Sequence, residues 1–176
     1  MKTKSVSAIT TSVITGLCLF SFGSLQADDA KLTSKDKSFI TDASEAGATE
    51  IQESELANKK SSDPAVKSLA DMMIKDHTKA GAKLEKIATG KGGETSKSPG
   101  VKQKANILLL EARKGDSFDK AFAETMVSDH KEAVALFEKA SHDLDDADLR
   151  EFAAKTLPTL KHHLMASEEL AKKFGE

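Results

Sequence analysis

Helical spacing turns one glutamate and three histidines of this 176-residue chain toward apolar faces. At about 100° per residue, Glu50 falls within a stripe of Phe39, Ala43, Ala46, Gly47, Ile51 and Ala57. His77 lies near the centre of Val66, Leu69, Ala70, Met73, Leu84 and Ala88. His130 borders the face made by Phe118, Phe122, Met126, Ala133, Leu136 and Phe137, with Asp129 toward its other border. His163 is bracketed by Phe152, Thr156, Leu160, Leu164, Leu170 and Phe174, whereas His162 points away and His142 belongs to the surface. Imidazoles and carboxylates on facing helices are the groups from which helical bundles build metal sites. A buried glutamate without a partner costs several kcal/mol unless it is protonated or paired, so Glu50 has to meet something.

Three imidazoles and one carboxylate suit a single zinc, iron, manganese or copper ion. The carboxylate-rich iron pattern, Glu-x-x-His on two helices, is absent. Ile74, Val127 and Leu160 stand three residues before His77, His130 and His163. Met73 and Met126 each precede a histidine by four residues on the same face, a hint of copper, although gap-filling is the ordinary use of core methionine. Asp76 and Asp129 precede their histidines by one residue, and helical neighbours in sequence do not face each other. Both are therefore expected to accept from imidazole N–H groups on other helices or to lie on a solvated face. A rival reading needs no metal: Glu50 pairs with a histidine, and the polar layer fixes helix register in a non-enzymatic envelope protein whose surface binds a partner.

The elements must bring these side chains to one level. Thr33 with Asp36 has the pattern of a capping box and opens helix one, 34–60. Asp63 before Pro64 opens helix two, to about residue 89. Residues 89–100 form a Gly- and Ser-rich loop, followed by a short helix at about 101–113. Asp116 and Asp119 resemble the cap and third position of helix three, 117–141. Asp145 and Asp146 cap helix four, 147–174, where Pro158 predicts a kink. His77 lies 14 residues past Asp63 and His130 14 past Asp116, while Glu50 and His163 lie 17 past Thr33 and Asp146. All four meet at mid-height if helices two and three run parallel. A helix of ~26 residues is ~39 Å long, and the ~27 residues between those helices can span it. That order, up-down-down-up, is favoured over a plain up-down bundle. It makes the fold an all-α, ferritin-like four-helix bundle with a short extra helix in the crossover. Residues 70–80 also echo 123–133, with Ala, Met, Asp, His and Ala recurring identically. The run Ile107 to Leu110 is apolar on every side and is expected to be sandwiched against the bundle.

Composition narrows the function classes. The chain carries 26 basic and 28 acidic residues, 39% hydrophobic residues, three prolines and no tryptophan or tyrosine. That favours helix, and the slight negative charge gives no footprint for nucleic acid or an anionic membrane. Lys2 and Lys4, the uncharged apolar run from Ile9 to Phe22, and Ala27 before Asp28 have the layout of a secretory leader cleaved after Ala27. The expected mature chain, 28–176, is one domain without a membrane span, placed in the periplasm or outside the cell. It loses the single cysteine, Cys18, so no haem c attachment or thiolate nucleophile remains. No Gly-rich strand–turn–helix loop offers a nucleotide site. An envelope protein or a second copy of the chain is the kind of partner left open.

Taken together, Asp36 with Phe39, Glu50, Leu56-Ala57, Asp76-His77-Thr78, Phe118-Asp119, Met126-Val127 with Asp129-His130, and Thr156-Leu157-Pro158-Thr159-Leu160 with His163-Leu164 resemble the exported bacterial family called domain of unknown function 4142. The resemblance spans Leu32 to Phe174 and implies a ferritin-like bundle and an exported location. Gln52 stands where the family often has a second Glu, which argues against a two-carboxylate site on helix one. The activity of the family is not established, so the resemblance implies no reaction. What the residues support is metal handling or oxidative-stress protection at a mid-bundle site.

Overall fold

The computed structural model describes residues 31–175, so the leader expected over 1–27 lies outside the described residues. Five helices follow one another: α1 (Ser34–Lys60), α2 (Pro64–Gly90), α3 (Val101–Glu111), α4 (Asp116–Asp143) and α5 (Ala147–Gly175). The capping box is present, with the Thr33 hydroxyl accepting from the Asp36 amide and the Asp36 carboxylate accepting from the Thr33 amide. Asp63 accepts from the Ala65 and Val66 amides ahead of Pro64, and Asp146 accepts from the Leu149 amide at 3.0 Å. At α4 the expected cap differs. Gly115, at φ +54°, turns the chain out of α3 in a conformation open to glycine, and Asp116 is already helical. α5 continues through Pro158.

Contacts at the helix ends fix the topology. Lys35 at the start of α1 donates to the Asp143 carbonyl at the end of α4 at 2.5 Å, and Lys60 at the end of α1 lies 5.4 Å over the Phe118 ring at the start of α4. Lys173 near the end of α5 pairs with Asp63 before α2 at 2.5 Å. Lys91 after α2 pairs with Asp146 and Asp148 at the start of α5, both at 2.8 Å. Each long helix is thus antiparallel to its neighbours among the four, and α2 and α4 run parallel across the bundle. This is the up-down-down-up order, with residues 91–100 and α3 as the crossover.

Two apolar clusters fill the interior. Phe39, Ile40, Leu84, Phe137, Leu149 and Phe152 anchor one. Val66, Leu69, Met73, Phe118, Phe122 and Met126 anchor the other. On every long helix the singled-out polar residue falls between a member of each: Glu50 between Ala43 and Ala57, His77 between Met73 and Leu84, His130 between Met126 and Ala133, His163 between Leu160 and Leu170. Parallel α2 and α4 place their echoed residues in equivalent surroundings. Ala70 and Ala123, Met73 and Met126, and His77 and His130 are all buried, so a shared seam accounts for the echo.

Two expectations are corrected. The buried face of α1 includes Ile40, Ser44, Glu53 and Ser54, while Ala46, Gly47 and Ile51 are only half-buried. The helix packs against both α2 and α4, so its seam follows the seven-residue spacing 36, 43, 50, 57. The apolar run on α3 is not sandwiched. Leu110 is buried, but Leu108 and Leu109 are 65% and 69% exposed. A short helix resting on α1 and α4 along one side has a far side that no other described residue covers.

Candidate metal centre

The rings of His77, His130 and His163 meet at mid-bundle with centroids 5.2–5.5 Å apart, all three buried. One ring nitrogen from each lies within 4.8 Å of the other two. Every ring is also held from behind. His130 Nδ1 lies 2.9 Å from the Met126 carbonyl. That oxygen can only accept, so Nδ1 carries the hydrogen and Nε2 presents a lone pair. His163 Nε2 lies 3.1 Å from Asp76 Oδ2 and donates to it, leaving Nδ1 as the lone pair. These two lone-pair nitrogens, His130 Nε2 and His163 Nδ1, face each other at 3.3 Å. Two acceptors at that distance repel unless a cation joins them. A metal held tetrahedrally at about 2.0–2.1 Å by imidazole separates its ligands by about 3.3 Å, so the spacing fits.

His77 completes the set. Its Nδ1 is 3.0 Å from Glu50 Oε2, and its buried Nε2 has no hydrogen-bond partner. With Glu50 ionised, Nδ1 donates to the carboxylate and Nε2 is a third free lone pair. Glu50 Oε1 lies 3.5 Å from His130 Nδ1 and is itself unpartnered. Glu50 therefore stands behind His77 and beside His130, where it orients imidazole and balances charge.

The electrostatics favour neutral rings. Burial, and then the neighbouring His130 and His163, holds His77 well below the ordinary histidine range. Burial lowers His130 to about 4 against the opposing Met126 hydrogen bond. His163 is lowered by burial, with Asp76 opposing. Glu50 is raised well above its ordinary range by burial and then by the Asp129 charge. A proton is thus disfavoured on the imidazoles and favoured on the carboxyl. Neutral imidazole is the form that binds metal.

Asp76 meets the expectation for it, an acceptor on α2 for an imidazole on α5. Asp129 does not reach a histidine; it accepts a hydrogen bond from Glu53. Glu53 was not among the residues singled out in the sequence. It lies three residues after Glu50, on a flank of α1 that turns inward only because α4 packs there, so spacing along α1 alone does not single it out. Burial and then Asp129 push its carboxyl up to about 10. Met73 and Met126 sit in the apolar cluster among Phe118 and Phe122, one turn from the histidines, where they fill core volume.

Among the described residues, cavities reach this layer from either side of α1. A cavity of about 360 Å³ between α1 and α2 ends at Glu50 and His77. Another, of about 300 Å³ between α1 and α4, has an acidic mouth of Asp42, Glu45 and Glu132 and ends at Glu50 and Asp129.

The fold and site define a class: an all-α bundle of four long helices, each antiparallel to its neighbours, with a histidine cluster at its waist. Residues 23–170 match the family described as Domain of unknown function (DUF4142), and the chain belongs to that family. It is similar in structure to a DUF305 fragment from Deinococcus radiodurans, with a TM-score of 0.72 and 14% identity over 81% of this chain and 99% of that one. At that identity the likeness shows the fold alone. None of the curated proteins compared with the chain matches it. Among the described residues, no helix is long and apolar enough to cross a membrane.

Proposed function

We propose that the protein is an exported bundle that binds one transition metal ion, zinc, copper, iron or manganese, through His77, His130 and His163, and serves metal handling or oxidative-stress protection. The observation that carries this reading is the pair of lone-pair nitrogens, His130 Nε2 and His163 Nδ1, opposed at 3.3 Å. Each is deprived of its hydrogen by a hydrogen bond made behind it. With an ion held there, the Glu50 proton would pass to His77 Nδ1 and the Nε2 hydrogen would leave to solvent, so that His77 would present its Nε2 lone pair and the Glu50 carboxylate would balance part of the positive charge inside the core. Three protein ligands leave a coordination position for a water or an external molecule. Export rests on the leader-like residues 1–27.

The test is the metal content of the mature chain, untagged and purified without chelator. About one transition metal ion per chain is expected. His77→Ala should abolish it with helicity nearly intact, and Asp76→Asn, which loosens the His163 ring, should weaken binding roughly 10–100-fold. A protein that stays empty when offered all four metals overturns the reading. The architectural alternative is favoured by the Glu50–His77 contact, which pairs one carboxyl oxygen with one ring nitrogen without metal. It predicts that His77→Ala and Glu50→Ala lower stability in the absence of any metal dependence.

A further inference from the structure

The charge of the whole chain is slightly negative, but it is unevenly placed. From Lys97 to Gly115 the crossover carries Lys97, Lys102, Lys104, Arg113 and Lys114 against one acid, Glu111, in a chain where 28 acidic residues outnumber 26 basic ones. Within this basic stretch α3 turns an apolar side outward. At about 100° per residue, Val101, Ala105, Leu108, Leu109 and Ala112 share an arc of about 100°. All five are exposed, Val101 by 88%. Lys104 borders that arc on one side, Lys102 and Arg113 on the other. Gln103, Ile107 and Leu110 form the opposite side, half-buried or buried where the helix rests on α1 and α4. The solvated face of a helix is ordinarily polar, and a contiguous exposed apolar patch marks an interaction surface.

We propose that α3 is a docking helix for an anionic lipid surface, lying in the headgroup plane with Leu108 and Leu109 toward the acyl chains and Lys102, Lys104, Arg113 and Lys114 on the lipid phosphates. An apolar middle with bases at the margins is the pattern of helices that lie in a membrane interface. The long basic side chains lay their stems along the apolar arc and carry their charges to its edge. Glu111 stands at the Lys104 margin, and Glu124 on α4 lines the groove behind Leu109 and Arg113, but the bases outnumber them. A second copy of the chain is a poorer occupant. Three large side chains on a helix of 11 residues fall short of the roughly 800 Å² per partner that a stable dimer buries, and pairing would set basic stretch against basic stretch. The docking needs no metal, so its failure is separable from that of the metal reading.

The chain has no tryptophan, so Leu108→Trp places a single reporter in the arc. Met165→Trp is the control, at a position 66% exposed on α5. Both are mixed, as mature chains, with vesicles of phosphatidylglycerol and phosphatidylcholine in equal parts. The emission of Leu108→Trp should move to shorter wavelength and become shielded from acrylamide, while that of Met165→Trp stays put. In sedimentation the parent should partition onto these vesicles at least tenfold more strongly than onto pure phosphatidylcholine, and about 0.5 M NaCl should weaken it. Each basic residue at such a surface contributes about fivefold. Replacing Lys104, Arg113 and Lys114 together by Gln should therefore weaken partitioning more than tenfold, as should Leu108→Gln with Leu109→Gln. Gln is a good helix former and all these positions are exposed, so the variants should melt with the parent. No partitioning of the parent onto the anionic vesicles, equal partitioning onto neutral ones, an equal shift at Met165→Trp, or undiminished partitioning by either folded Gln variant would each overturn the proposal.

Discussion

At the residue scale, the central layer is a set of groups that burial holds in their uncharged forms. An unfolded histidine takes a proton near its ordinary value of 6.5, whereas His130 in the folded core waits until about 4. The unfolded chain thus binds more protons than the folded one between those values, and stability falls as pH drops through that window. Glu53 acts in the opposite sense. Its ordinary value is 4.5 and its folded value about 10, so the folded state holds a proton that the unfolded chain has released, and stability falls as pH rises from 4.5 toward 10. The metal-free protein should be most stable at about pH 5–6. Urea midpoints at about pH 4, 5.5 and 8 check this, with the middle one highest and Glu53→Gln flattening the alkaline decline. Equal midpoints at about pH 5.5 and 8 would contradict the buried, protonated Glu53. The four members of the layer were legible from helical spacing because each sits amid apolar residues at the same height. Glu53 and the Glu53–Asp129 pair were not, because which flank of α1 turns inward depends on where α4 packs, and spacing along one helix does not contain that.

At the element scale, one carboxylate joins two parts of the chain distant in sequence. Asp36 Oδ2 accepts from the Thr33 amide at 3.0 Å and hydroxyl at 2.8 Å, while Oδ1 accepts from the Asp145 and Asp146 amides at 3.1 and 3.2 Å. The same buried side chain thus closes the N-terminus of α1 and holds the α4–α5 turn. Burial pushes its carboxyl up, but the donors from Thr33, Asp146 and Asp145 outweigh that and hold it below the ordinary range. Removing a helix cap costs about 1 kcal/mol, and hydrogen bonds to a charged group contribute about 1.5–3 kcal/mol each. Asp36→Ala should therefore destabilise by about 3 kcal/mol, and Thr33→Ala by about 1 kcal/mol, read as shifts in the urea midpoint. A loss below about 1 kcal/mol for Asp36→Ala would mean that the turn is held by other contacts. The capping box was legible as Thr33 and Asp36. The tie to Asp145 and Asp146 was not, since it exists only once α1 and α4 have packed antiparallel. The exposure of Leu108 and Leu109 was hidden for a related reason: composition shows that α3 is apolar all round, not how many neighbours reach it.

At the scale of the whole molecule, the bundle is two hairpins, α1–α2 and α4–α5, that pack more extensively within themselves than against each other. The histidine layer lies across that junction. His77 belongs to the first hairpin, His130 and His163 to the second, so an ion bound by all three ties the halves together. An ion that binds the folded bundle and not the unfolded chain stabilises by about 2.7 kcal/mol at a hundred times its dissociation constant. For a domain of about 150 residues that corresponds to a rise in Tm of about 5–10 °C, reversed by chelator. His77→Ala removes the only ligand supplied by the first hairpin, so its Tm should no longer respond to metal. His163→Ala likewise leaves two of the three imidazoles and should lose the response as well. Melting curves of the parent that coincide with and without chelator, once metal has been supplied in that excess, would show that no ion spans the hairpins. The buried histidines would then act only through packing and hydrogen bonds.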